Sequence, residues 1–211
     1  MKLMKFEHAC FTLEQDGKCL VVDPGNITDD FVTPENVVGV VITHEHPDHL
    51  DTKKIEDILQ KNPDAIIVTL ASILAAHDWP NTHAVAARDV FEIGPFKLEF
   101  FGGKHALIHE KIPIAENVAM MVNDILYYPG DSFTLPERPV KVLAAPTSGP
   151  WLKLGEAVDF MLTVKPERAF STHDAHSSEK NKQLIDSMLP KLIASANIEY
   201  MRLSKPLEID G

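Results

Sequence analysis

The sequence predicts a mixed α/β fold in which two sheets pack face to face beneath covering helices. Three observations predict it. Hairpin patterns occur in both halves of the 211-residue chain, apolar β-branched runs alternate with segments of helical spacing, and no low-complexity tract or charge block interrupts them. The length suits a single domain over residues 1–211, built of two similar halves with a boundary expected near Ile114–Glu116.

The elements follow in chain order. Ala9–Glu14 and Lys18–Val22 form a hairpin that turns at Asp16-Gly17, a pair suited to a two-residue turn. In that register Cys19 lies opposite Glu14 and Cys10 faces the region of Asp23, so the sulfurs stand roughly 13 Å apart and cannot bridge. Val37–Thr43 reads as a buried strand that stops at a cluster of histidines and acids. Leu50, Ile55, Ile58 and Leu59 recur at helical spacing, and Asn62-Pro63 ends that helix. Ala65–Leu70 is a strand and Ser72–His77 a short helix. Val90–Ile93 pairs with Phe96–Phe101 across Gly94-Pro95, and Val118–Val122 with Ile125–Tyr128 across Asn123-Asp124. Val140–Ala145 is a strand and Gly155–Thr163 an amphipathic helix. Ala169–Thr172 is a short strand, Glu179–Leu189 a helix, and Ile198–Leu203 a closing strand.

Charge narrows the function classes. Against 20 Lys+Arg stand 31 Asp+Glu, a formal net charge of -11, which repels phosphate backbones and anionic lipid surfaces. No nucleic-acid partner is expected, and no apolar run reaches the roughly 20 residues of a membrane helix. Glu7 and His8 interrupt the first residues before a signal-peptide core can form, so a cytoplasmic location is expected. The unusual count is ten histidines against three tyrosines and two tryptophans.

Those histidines are not scattered. Thr43-His44-Glu45-His46-Pro47-Asp48-His49 follows directly on a buried strand, and so many imidazoles and carboxylates crowd favourably only around a cation. In an extended segment His44 and His46 point the same way, while Pro47 turns Asp48 and His49 toward a neighbouring position. For a further ligand, His105 and His109 compete. His105 follows a strand and the Gly102-Gly103 pair, which permits close backbone approach.

His44-x-His46-x-Asp48-His49 after a hydrophobic strand resembles the signature of the metallo-β-lactamase superfamily. Val21-Val22-Asp23-Pro24-Gly25 resembles its first motif, Gly102-Gly103-Lys104-His105-Ala106 its third, Tyr128-Pro129-Gly130-Asp131-Ser132 its fourth and Ser171-Thr172-His173-Asp174 its last. The resemblance implies an αββα four-layer sandwich with metals at one edge. It implies one site of His44, His46 and His105, a second of Asp48, His49 and His173, Asp131 shared between them, and Asp23 supporting the loop without binding metal. Two divalent transition metal ions are then implied, zinc first and manganese or iron as alternatives, about 3.5–4 Å apart with a bridging hydroxide as nucleophile. Phe6-Glu7-His8-Ala9 and Ser148-Gly149-Pro150-Trp151 are further similar to the ascorbate-6-phosphate lactonase branch.

The implied activity is hydrolysis of a small ester, lactone or phosphate-containing substrate, with Asp48 and Asp131 at the reaction centre. Two divalent ions change the formal charge from -11 to -7 (-11 + 4), concentrated at one mouth, which suits a small anionic substrate. Two alternatives share the ligand set, an iron-binding redox protein of the same fold and a catalytically silent metal-binding scaffold. The fold class often dimerises, so a homo-oligomer is compatible with it.

Other residues have competing readings. His176 either donates a proton to a leaving group or is a solvated histidine before the Ser177-Ser178-Glu179 helix cap. His8 has a structural role under the metal loop, with a hydrogen bond to a ligand as the alternative. Trp151 is a substrate-facing wall or a helix-docking aromatic. Lys104, Lys111 and Lys153 are candidates for holding an anionic group. His77 and His83 sit in a surface turn around Asp78-Trp79-Pro80, and Met120 and Met121 fill core.

Overall fold

The computed structural model describes residues 1–209 and contains two seven-stranded sheets. The first holds β1 (Lys2–Lys5), β2 (Phe11–Gln15), β3 (Lys18–Val22), β4 (Val37–Val41), β5 (Ile66–Thr69) and β6 (Thr82–Ala84). The second holds β7 (Val90–Ile93), β8 (Phe96–Gly102), β9 (Val118–Val122), β10 (Leu126–Tyr128), β11 (Val142–Pro146), β12 (Arg168–Thr172) and β13 (Glu199–Met201). A last strand, β14 (Leu207–Glu208), returns to the first sheet, giving the orders β14-β1-β2-β3-β4-β5-β6 and β13-β12-β11-β10-β9-β8-β7. Helices α1 (Thr52–Lys61), α2 (Ala71–Leu74), α3 (Leu154–Val164) and α4 (Glu179–Leu192) connect them. Among the described residues no helix is long and apolar enough to cross a membrane.

Side-chain alternation explains the layers. In the second sheet Leu98, Phe100, Met120, Leu126, Tyr128 and Phe170 share one apolar core with Leu13, Leu20, Val22 and Val41 of the first sheet. The intervening Phe101, Met121, Tyr127, Leu143 and Ala169 form a second core with Phe160 and Met161 of α3 and Ile185 and Leu189 of α4. Both faces of β9 and β11 are therefore covered, and every residue in them is buried. Met120 and Met121 fill core, one on each face. On the first sheet α1 contributes the buried Ile55 and Ile58, and the Asp51 carboxylate caps its N-terminus by accepting from Lys53 N.

The first hairpin has the expected register. Glu14 pairs with Cys19 and Gln15 with Lys18, leaving Asp16 and Gly17 both at positive φ in a two-residue turn. Cys10 and Cys19 are free and buried.

Several expectations shift. The chain crosses from the first sheet to the second between β6 and β7, not near Ile114–Glu116, because β7 and β8 pair onward with β9. His83 lies within β6 rather than in a turn, its ring stacked 3.8 Å from Phe91. His77 stacks on Trp79 at 4.4 Å. Ile198–Leu203 shortens to β13 and does not close the chain, since β14 pairs with β1. The helix expected over Ser72–His77 is the single turn α2, and α4 runs through Pro190 to Leu192.

Candidate metal centre

The ends of β3, β4, β8, β10 and β12 lead to one edge of the sandwich, and each carries a polar side chain into it. Past β3 comes Asp23, past β4 the segment Thr43 to His49, past β8 His105, past β10 Asp131 and past β12 His173. Three residues of this edge, His8, Asp23 and His173, take left-handed backbone conformations at φ 59°, 45° and 58°. Such conformations are rare in non-glycine residues and gather where surrounding structure over-determines them. A glycine is required nearby, since a Cβ on Gly25 would stand 1.8 Å from the Asp48 carbonyl oxygen.

Two groups of side chains converge there. His44, His46, His105 and Asp131 present ligating atoms within 4.8 Å of one another, and so do His8, Asp48, His49 and His173. Asp131 lies between them. Its Oδ1 is 3.1 Å from His49 Nε2, and its Oδ2 is 2.8 Å from His173 Nε2, 3.3 Å from His105 Nε2 and 3.9 Å from His44 Nε2. All seven residues expected at the two sites are thus brought together, and His8 joins them. His109 does not. It is exposed, with its Nδ1 accepting from Lys111 N.

The far side of each ring shows how the near side is prepared. His49 Nδ1 donates to Asp23 Oδ2 at 2.8 Å, His105 Nδ1 to Ala106 O at 2.6 Å and His173 Nδ1 to Ser148 O at 2.7 Å. His44 Nδ1 meets Thr43 Oγ1 at 3.0 Å, a hydroxyl that itself donates to Asp23 Oδ2. Each of these four rings therefore keeps its proton on Nδ1 and turns the Nε2 lone pair inward, an arrangement that suits ligation of a metal through Nε2. Asp23 takes a third donor, the Tyr128 hydroxyl at 2.9 Å, and Thr43 N supplies a fourth at 2.8 Å.

The inward atoms have nothing to bond to. His49 Nε2, His105 Nε2, His173 Nε2 and Asp131 Oδ1 are buried without a hydrogen-bond partner among the described residues. Leaving a buried polar group unpaired costs about 1–3 kcal/mol, so three such nitrogens around one carboxylate with an unpaired oxygen of its own are untenable without a further occupant. A divalent cation fits these donors, which combine imidazole nitrogen with carboxylate oxygen.

Electrostatics agree. Burial would raise the Asp131 carboxyl, but His49 and His173 outweigh it and hold the group well below the usual carboxylate range. Asp48 is likewise held down against its burial, by His173 and His8 beside its carboxylate. Burial pushes His44 and His46 down, keeping them neutral. Burial opposes charge on His49 and His173 too, yet Asp131 lifts both, His173 to about 9. The carboxylates draw positive charge to this spot, which a bound metal ion would supply in place of protons.

Sequence reasoning missed or left open three supports. Trp151, read as wall or helix anchor, donates its indole Nε1–H to Asp131 Oδ2 at 3.0 Å and is buried. Asn117, not singled out at all, accepts from Asp131 N with Oδ1 and donates Nδ2 to Pro129 O, fixing the loop that carries Asp131. His8 donates toward Asp48. His176 is exposed at the rim, its ring 5.2 Å from that of His8. Lys104, Lys111 and Lys153 are exposed, and at Lys153 the backbone N donates to Glu156 in the first turn of α3. Beside the centre a groove of about 190 Å³ is lined by Glu45, Leu70, Ser72, Ile73, Ile114 and Glu116 among others.

Residues 2–173, which carry every proposed ligand, match the description of the beta-lactamase superfamily domain. The chain belongs to this superfamily. The superfamily member is 35% identical over 180 residues to the Mycobacterium tuberculosis protein Rv0786c, covering 83% of this chain and 84% of that one. It is 29% identical over 150 residues to a UPF0173 metal-dependent hydrolase of Aeropyrum pernix, covering 62% and 61%. Among solved structures, the metallo-beta-lactamase fold protein YhfI of Bacillus subtilis superposes with a TM-score of 0.73 at 15% identity, covering 98% of each chain. Its layers are those of the metallo-β-lactamase fold.

Proposed function

We propose that this chain is a metal-dependent hydrolase with a dinuclear centre, acting on a small ester, lactone or phosphate-containing substrate. The observation that carries the reading is the set of orphaned ligating atoms around Asp131. Asp131 would be shared by both sites, His44, His46 and His105 would hold one divalent ion, and Asp48, His49 and His173 the other. Zinc is the first choice and manganese or iron the alternatives. Ions held there supply Lewis acidity toward a carbonyl or phosphoryl oxygen and activate water near neutral pH.

The chain's own residues supply the rest. Asp23 and the two backbone carbonyls at Ala106 and Ser148 fix ring orientation, and Trp151 and Asn117 fix Asp131. At the exposed rim His176 would donate a proton to a departing alkoxide. The groove over Leu70, Ile73 and Ile114 offers space for a small non-reacting part of the substrate. An anionic substrate agrees with cations at the mouth of an otherwise acidic protein. The lactonase-like reading draws support from His8 and Trp151, since both belong to the stretches that suggested that branch and both reach a proposed ligand. A cytoplasmic enzyme, a single domain over residues 1–211 and a homo-oligomer complete the proposal.

The test is hydrolysis of a panel of lactones, esters and phosphodiesters by chelated, zinc-, manganese- and iron-loaded protein, with Asp131→Ala as control. Metal-dependent turnover that Asp131→Ala abolishes supports the reading. A fully loaded chain that turns over none of the panel, or an Asp131→Ala variant with unchanged activity, contradicts it.

A further inference from the structure

His8 stands among the ligating side chains of the second group, yet its protons are arranged the opposite way from theirs. The ring is fully buried between β1 and β2, with its centroid 4.0 Å from that of His173. Its Nδ1 accepts a hydrogen bond from Ala175 N at 3.3 Å, so that nitrogen carries the lone pair. The proton then sits on Nε2, which lies 3.0 Å from Asp48 Oδ2. In His44, His49, His105 and His173 the proton is on Nδ1 and the lone pair faces inward. For His8 to ligate through Nε2 its proton would have to move to Nδ1 and meet the Ala175 N–H head-on. Two donors cannot face each other in a buried site without losing a bond.

We infer that His8 is a positioning residue that donates its Nε2–H to Asp48 and is not a metal ligand. The inference rests on the dinuclear reading above and deepens it. Asp48 needs such a donor more than its neighbours do. Its side chain is 21% exposed, whereas those of His49 and His173 are at most 3%. The bond from His8 is the one hydrogen bond its carboxylate makes among the described residues. Asp48 Oδ2 lies 3.3 Å from His173 Nε2 and 3.9 Å from His49 Nε2, so the same oxygen that accepts from His8 faces the second site. The backbone is adapted to the task. His8 holds φ 59°, and its carbonyl accepts from His173 N at 2.9 Å, which couples the donor to a proposed ligand by main chain as well.

Two substitutions separate the roles. His8→Asn tolerates the left-handed backbone and keeps an acceptor near the Nδ1 position, but is too short to reach Asp48. His8→Gln extends a donor to about the Nε2 position. Stepwise zinc affinities, measured by chelator competition on the full chain, are expected to fall 10–100-fold for the second ion in His8→Asn while the first stays within about threefold. His8→Gln should recover most of the loss. The fully cobalt-loaded His8→Asn protein should keep the wild-type visible spectrum and the wild-type number of nitrogen ligands by X-ray absorption. Loss of a nitrogen ligand in that sample would make His8 a ligand and overturn the inference. So would an unchanged second affinity in His8→Asn, or equal losses at both sites. If the unmodified chain takes up only one ion, the dinuclear reading falls first and this inference with it. Two ions in the unmodified chain, with no shift in the variant, remove this inference alone.

Discussion

Asn in place of Asp23 preserves shape and reverses one polarity at the residue that supports the metal loop. Asp23 Oδ1 accepts from Thr43 N at 2.8 Å, and Oδ2 accepts from Thr43 Oγ1 at 2.7 Å, His49 Nδ1 at 2.8 Å and Tyr128 OH at 2.9 Å. The two hydroxyls can turn and become acceptors. Thr43 N cannot, and His49 can only by moving its proton to Nε2, the nitrogen 3.1 Å from Asp131 Oδ1. Whichever way the Asn amide faces, its NH2 group meets one of these two fixed donors. A buried donor stripped of its partner costs about 1–3 kcal/mol, and the loss of charge assistance in the remaining bonds adds about 1 kcal/mol. The expected destabilisation is therefore about 2–4 kcal/mol, a fall in the unfolding midpoint of roughly 5–15 °C for a chain of this size. With His49 in the wrong tautomer, the second ion should bind about 10–100-fold more weakly. Differential scanning calorimetry of the metal-free protein and chelator competition of the loaded one measure the two effects separately. An Asp23→Asn protein that melts within 1 °C of wild type and binds its second ion unchanged would refute the reasoning.

Other perturbations follow from the same geometry. Trp151→Phe keeps an aromatic ring against Phe133 and removes only the indole donor to Asp131, so both ions should stay bound while turnover falls about tenfold and stability by about 1–2 kcal/mol; metal analysis with steady-state kinetics checks it. Gly25→Ala places a Cβ 1.8 Å from Asp48 O and 2.0 Å from Asp48 C, which forces the Asp48–His49 backbone outward. It should cost about 3 kcal/mol or more and shed the second ion before the first, read by denaturant unfolding and metal content. Burial pushes the Cys19 thiol up to about 12 and Cys10 well above its ordinary value. Both should be inert to a chromogenic disulfide reagent at pH 8 in the native protein, and two thiols should titrate after denaturation.

The residues legible in the sequence were those whose chemistry is local in the chain. His44, His46, Asp48 and His49 sit within six residues at the end of one apolar run, so their convergence needs no knowledge of the fold. His105, Asp131 and His173 each follow a run that could be read as a strand, and the structure gathers those strand ends at one edge. The supporting contacts are another matter. His8 reaches Asp48 across 40 residues, Trp151 reaches Asp131 across 20, and Asn117 reaches Asp131 across 14. Such pairings depend on which strand ends meet, so a bond from His8 to a ligand stays one of two readings, Trp151 stays a wall or an anchor, and nothing in the residue types marks Asn117. Sheet assignment was illegible for a related reason. The Val90–Phe101 hairpin is visible in the pattern, but whether it extends the first sheet or the second is decided by its pairing with β9. β1, β6 and β14 are too short to show a period, and β14 depends on β1 for its partner.

Metal counting with location tests the account most directly. Reconstituted protein should contain two divalent ions per chain by mass spectrometry. Anomalous diffraction should place one against His44, His46 and His105 and the other against Asp48, His49 and His173, with Asp131 touching both. A chain that saturates at a single ion, with Asp131 touching it from one side and Asp48 and His173 turned away, would contradict the account.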